Sequence, residues 1–229
     1  MATVGAFFDI DGTLCLDGSV WRGLWDYHFS HRRRRLRLLR FLFGNASRSA
    51  ALARQGADRD AFVEASLSHL AAIFAGLSPE EGQEILHWTW QRGLRPRLRG
   101  DVVGRLREHQ SQGHFTALVS ATFAELAALV ARELGADAAV GSRLEVDSSR
   151  YSGRMLLPVC FGPEKARQAS LLAEQQSIDL AAIFAYGDRG HDAPILALAG
   201  HPVAVYPDPP LLALARARGW EVLGTPRPR

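Results

Sequence analysis

Val4-Gly5-Ala6-Phe7-Phe8-Asp9-Ile10-Asp11-Gly12-Thr13 is the stretch on which the fold turns. Its apolar half, rich in β-branched and aromatic residues, reads as a buried strand, and its Asp-Gly end reads as a tight turn. Acids that follow a buried strand leave the sheet at its carboxyl edge, where α/β proteins bind ligands. Asp9 and Asp11, two residues apart on extended chain, present both side chains to one face. Their repulsion is costly unless a cation shares them, and a hard divalent ion with oxygen ligands, Mg2+ above all, relieves it. An Asp-Gly turn with capping carboxylates gives the same letters without chemistry, so the reading needs partners elsewhere in the chain.

Outward from this strand the pattern changes. From about Ser19 to Gln91 the apolar residues recur at helical spacing, as in Trp21-Leu24-Trp25-Phe29, Leu36-Leu39-Phe43 and Phe62-Leu67-Leu70-Phe74, with no alternating strand. Beyond it the chain alternates. A helix is expected over 101–112, a strand over 114–120, a helix over 123–134, a hairpin flap within 138–157 and a helix over 164–176. A strand over 181–186, a helix over 193–199, a strand over 202–206 and a helix over 210–218 complete the series. Strands alternating with helices imply a doubly wound, Rossmann-like parallel sheet covered on both faces, with a helical insert after its first strand.

Three later segments supply the partners. Val119-Ser120-Ala121-Thr122 ends the second strand, and a hydroxyl there can cap the next helix or hold an anion at its free N–H groups. Lys165 is the only lysine among 27 cationic residues. A chain that uses arginine at every other such position keeps a compact ammonium here, which suits a point charge beside a carboxylate or phosphate. An ordinary exposed helical lysine is the plainer reading. Gly187-Asp188-Arg189-Gly190-His191-Asp192-Ala193-Pro194 follows the third strand and puts Asp188 at another carboxyl end, with Asp192 near the next helix start. Asp188 suits a metal ligand; Asp192 suits a second ligand or a residue that orients the first.

Taken in order, Asp9-Ile10-Asp11-Gly12-Thr13, Ser120, Lys165 and Gly187-Asp188 with Asp192 resemble the four signature motifs of the haloacid dehalogenase (HAD) superfamily, subfamily IB, phosphoserine-phosphatase-like branch. The resemblance implies a HAD-type phosphatase with a core over residues 1–14 and 96–229 and a helical cap over 15–95. It implies Asp9 as nucleophile and Asp11 as acid and base. Mg2+ would be held by Asp9, Asp11 through its backbone carbonyl, Asp188 and Asp192. The phosphoryl oxygens would be held by Ser120, Lys165 and the N–H groups of Ile10 and Ala121. Two departures point away from phosphoserine: Gly12 stands where that branch has serine, and Gly18 where it tends to have glutamate. Arg189 is also unusual after Asp188 and reads as a steering group for an anionic substrate.

Composition bounds the partners. A formal charge of +3 with scattered arginines is no nucleic-acid signature, and two cysteines, Cys15 and Cys160, make no disulfide framework. The absence of a basic leader or a long apolar run, with so few cysteines, predicts a cytoplasmic protein, and the resemblance implies a small phosphate ester as its substrate. The arginine-rich run from His31 to Arg40, continuing to Phe43, reads as a solvated helix face or as weak contact with an anionic membrane. A phosphotransferase, and a non-catalytic phosphate- or phospholipid-binding protein, are the alternatives. The tryptophans Trp21, Trp25, Trp88 and Trp90 read as packing rather than as substrate platforms, and His191 as a loop residue.

Overall fold

A computed structural model describes residues 3–31, 66 and 69–225. Most of the arginine-rich run, and the expected helices around 36–43 and 62–67, lie outside these residues. Six strands, β1 (Gly5–Phe8), β2 (Phe115–Phe123), β3 (Ala138–Ser142), β6 (Ile183–Gly187), β7 (His201–Val205) and β8 (Glu221–Leu223), form one parallel sheet in the order β3-β2-β1-β6-β7-β8. The chain winds one way from β1 to β3 and the other way from β6 to β8. The order therefore reverses at the β1/β6 seam, and a crevice opens beyond the carboxyl ends there.

The strand period of two explains why β1 is buried throughout. Ala6 and Phe8 join one apolar cluster and Phe7 the other, on opposite faces of the sheet. The flanking helices are α3 (Gly100–Ser111), α4 (Ala124–Leu134), α5 (Gly162–Gln175), α6 (Ala193–Leu198) and α7 (Pro209–Arg218). Gly135 and Gly219 close α4 and α7 at φ 67° and 66°, the left-handed geometry of a helix C-cap.

Between β1 and β2 the described chain is helical, as its periodicity predicts: α1 (Ser19–Ser30), a 3-10 turn at Ala71–Phe74, α2 (Pro79–Trp88) and a π-helical segment at Thr89–Leu94. Ser78 and Glu81 start α2 with a reciprocal capping box. Gly23 and Gly93 let α1 and the π segment meet closely, since a Cβ on Gly23 would lie 2.7 Å from the Thr89 Cα.

The expected hairpin flap is present as β4 (Leu144–Asp147) and β5 (Arg150–Met155), turning at Ser148 and Ser149, both at positive φ. Two features depart from the expectation. Ala138–Ser142 belongs to the main sheet rather than the flap, and β8 was not anticipated, because three residues carry too little pattern to read. The basis for β3 is its register against β2, with Val119 opposite Val140, a long-range pairing that local sequence does not encode.

Candidate active site

Register sets the site. Phe8 lies opposite Leu118 on β2 and Tyr186 on β6, so the residues that follow on all three strands emerge together. Asp9 N–H donates to the Tyr186 carbonyl at 3.0 Å, fixing the seam. Below the seam Tyr186 stacks on Phe8 with centroids 4.1 Å apart, and its hydroxyl meets His109 Nε2 at 2.8 Å. Burial, with help from His114 and Arg105, pushes His109 down to about 4, so it is neutral at pH 7.

Lys165 reaches this edge from the first turn of α5, is 2% exposed, and donates to Asp9 Oδ1 at 2.6 Å and Asp192 Oδ1 at 2.7 Å. Burial alone would lower its pKa; the two carboxylates outweigh burial and hold it above its ordinary value. Burial pushes Asp9 above the usual carboxylate range in spite of Lys165. It pushes Asp192 the same way, but there Lys165 and His191 prevail and hold the carboxyl low. The remaining Asp192 oxygen accepts the N–H groups of Asp188 and Arg189 at 3.1 and 3.2 Å, which shapes the turn after β6.

Asp188 is buried and accepts the Thr13 hydroxyl at 3.1 Å. Gly12, at φ 106°, lies against it: a Cβ there would come 2.7 Å from the Asp188 Cγ. A side chain in the same position would meet this carboxylate unless Asp188 shifted. Oxygens of Asp9, Asp188 and Asp192 lie within 4.8 Å of one another, three buried carboxylates against one buried ammonium. That donor set and its excess negative charge fit a hard divalent cation.

Asp11 stands apart. Its carboxylate turns to the Ser19 N–H at 2.9 Å and is not among the three clustered acids. Burial, opposed by that hydrogen bond and reinforced by Asp17, pushes it up to about 7. Ser120 is 2% exposed and lines the cavity with Ala121, whose carbonyl accepts the Ser142 hydroxyl at 2.9 Å. Ile10 is buried beneath, its carbonyl taking the Cys15 N–H at 3.0 Å.

Arg189 also lines the cavity, but its guanidinium pairs with Asp17, and its Nε lies 3.7 Å from Asp188. Among the tryptophans, Trp90 is buried, Trp88 packs edge-on to Tyr27 at 5.9 Å and Trp21 packs against the hydrophobic core, as expected; Trp21 also forms part of the cavity wall. His191 is at the rim, with its ring 4.6 Å from Phe161.

The structure thus brings Asp9, Lys165, Asp188 and Asp192 into one buried cluster with Asp11, Ser120, Ala121 and Arg189 around the adjoining cavity. Sequence reasoning assigned no role to Thr13, Asp17, Ser19 or Thr122. Of these, only Thr13 carried a signal, a hydroxyl inside the carboxylate turn.

The family model for haloacid dehalogenase-like hydrolases matches residues 6–197. The chain belongs to this family. It is 32% identical over 223 residues to phosphoserine phosphatase SerB1 of Mycobacterium tuberculosis, covering 96% of this chain and 70% of that protein. It is 30% identical to the inhibition of morphological differentiation protein of Streptomyces azureus, over 97% of this chain and 79% of that one. A crystal structure of a Bordetella pertussis protein of unknown function superposes with a TM-score of 0.74 at 27% identity, over 97% and 99% of the two chains. The protein is therefore a HAD-type phosphatase in class, with the Rossmann-like sheet its motifs predicted. No helix among the described residues is long and apolar enough to cross a membrane.

Proposed function

We propose that the protein hydrolyses a small phosphate monoester by two displacements at phosphorus, with Asp9 as nucleophile. The observation that carries this reading is the contrast between two acids two residues apart: Asp9 is ion-paired to Lys165 at 2.6 Å, while Asp11 is pushed up to about 7 and lies outside that cluster. A carboxylate held by a cation suits attack; one poised near neutrality suits proton transfer.

In the first displacement an Asp9 oxygen bonds to phosphorus, the ester P–O bond breaks, and Asp11 gives its proton to the departing alkoxide. In the second, Asp11 takes a proton from water as the water oxygen attacks phosphorus. The Asp9–phosphorus bond then breaks and orthophosphate leaves. Ser120, Lys165 and the N–H groups of Ile10 and Ala121 would hold the phosphoryl oxygens, in line with a reaction governed by positioning and charge neutralisation. Mg2+, held by Asp9, Asp188, Asp192 and the Asp11 carbonyl, would supply further neutralisation of those oxygens. Residues 15–95 would form a cap that excludes water, with 1–14 and 96–229 as the core.

A single turnover quenched with borohydride, followed by mass spectrometry of the peptide containing Asp9, tests the scheme. Reduction of the phosphorylated Asp9 side chain to homoserine is expected, as is loss of turnover with EDTA or with Asp9→Asn. Turnover that leaves Asp9 unreduced would instead mean direct attack by water.

A further inference from the structure

Past the carboxylate floor, the cavity changes character. Most of its wall is built by Val20, Trp21, Leu70, Phe123, Met155 and Phe161, drawn from α1, the helical insert, the end of β2, the flap and the approach to α5, and Asp17 and His191 line it as well. Its volume is about 140 Å³, room for roughly five waters at about 30 Å³ each. That suits a small organic body. Among the described residues Arg189 is the one lysine or arginine in this lining, and its guanidinium is already engaged by Asp17 and close to Asp188. An amino acid bound there would face apolar walls with its carboxylate.

Thr122 adds a polar point to this wall. It lines the cavity beside Ser120 and is 9% exposed, and its Oγ1 is shut away from solvent without a hydrogen-bond partner among the described residues. A buried hydroxyl left unsatisfied is destabilising, and such groups in native structures mark places where a partner is supplied from outside. Rotation about one side-chain torsion exchanges the methyl and hydroxyl of threonine, so a ligand group can take up this hydrogen bond without moving the strand.

We propose that this cavity is a leaving-group subsite for an uncharged, largely apolar alcohol, with Thr122 hydrogen-bonding a polar atom on that alcohol. The substrate class is then a monophosphate of a compact hydrophobic alcohol rather than of an amino acid. The inference rests on the phosphatase reading, since it assumes that the phosphoryl group lies at Asp9.

Calorimetric titration of the full chain in Mg2+ with methyl-, n-butyl- and 4-hydroxybutylphosphonate and the zwitterionic 2-amino-4-phosphonobutanoate tests it without requiring turnover. Burial of a methylene is worth roughly threefold in affinity, so butylphosphonate should bind more than tenfold tighter than methylphosphonate, and the zwitterion no tighter than methyl. Trp21→Ala should remove most of the butyl gain and leave methylphosphonate unchanged. Thr122→Val should weaken only the hydroxybutyl ligand, and Thr122→Ser should restore it. Tightest binding by the zwitterion, or an equal loss for methyl and butyl in Trp21→Ala, would overturn the subsite. Apolar preference in a protein that hydrolyses no ester would leave the subsite standing and defeat the phosphatase scheme. Hydrolysis without apolar preference would do the reverse.

Discussion

Replacing Lys165 with methionine removes the ammonium that Asp9 and Asp192 share at 2.6 and 2.7 Å and keeps most of the side-chain volume. Lys165 is 2% exposed and Asp192 fully buried, so water cannot take its place without rearrangement. Breaking such a pair on one side costs about 3–5 kcal/mol. For a chain of this size each kcal/mol moves the melting temperature by about 2–4 °C, which places the expected loss at roughly 6–20 °C. The sign of the pH dependence is a sharper test. The folded-state pKa of Lys165 is raised, so its contribution is fully present below about 10.4 and is intact at pH 8. Without the cation both carboxylates rise, and a raised carboxyl costs stability above its unfolded value, a cost that disappears as pH falls and the group protonates. The difference between wild type and Lys165→Met should therefore be large at pH 8 and shrink towards pH 5. Urea unfolding at both pH values in EDTA measures it. A loss below about 1 kcal/mol at pH 8, or an equal loss at both, would refute the idea that this lysine neutralises buried charge.

The proton on Asp11 is bound below about 7 and lost above it, so the burst rate with an alkyl phosphate should fall as pH rises through 7, while p-nitrophenyl phosphate, whose leaving group needs no proton, stays flat. Identical profiles for the two esters would remove Asp11 from the acid role. Gly12→Ala should cost at least about 1–3 kcal/mol in denaturant titration and weaken Mg2+ binding, because φ is 106° and the new Cβ would meet Asp188; unchanged stability would mean that the turn yields. Tyr186→Phe should cost about 1–3 kcal/mol by orphaning the neutral, buried His109, read from the urea midpoint at pH 7. Asp17→Asn and Arg189→Met should couple by only about 0.2–1 kcal/mol in a double-mutant cycle, since both groups are partly open to solvent.

Local sequence disclosed what local physics decides. The β1 run, the helical spacing of the insert and the hairpin at Ser148-Ser149 can all be read because period, turn chemistry and burial act over a few residues. The lone lysine could be read for a different reason: against 26 arginines its chemistry stood out. The pairing of β3 with β2 and the short β8 could not, because they depend on long-range register. Nor could the partners of the acids. That Asp11 turns to Ser19, that Arg189 is engaged by Asp17, and that Trp21 lines the cavity as well as packing on the core depend on how the insert returns over the sheet edge.

The same distinction explains why the two halves of the site differ in how much they reveal. The proposed phosphoryl half must hold one geometry around one charge pattern, so it is built from strand ends whose register is fixed by the sheet, and its residues stand at motif spacing. The proposed leaving-group half is built from α1, the insert, the flap and the edge of β2, elements that meet only in three dimensions and whose apolar side chains look in sequence like core. Phe123 and Phe161 belong to the hydrophobic cluster and to the cavity wall at once. A residue that serves packing and recognition together carries no separate sequence signal. The motif residues are therefore legible in this chain, and the cavity wall is not until its side chains are seen to converge on Asp9 and Asp11.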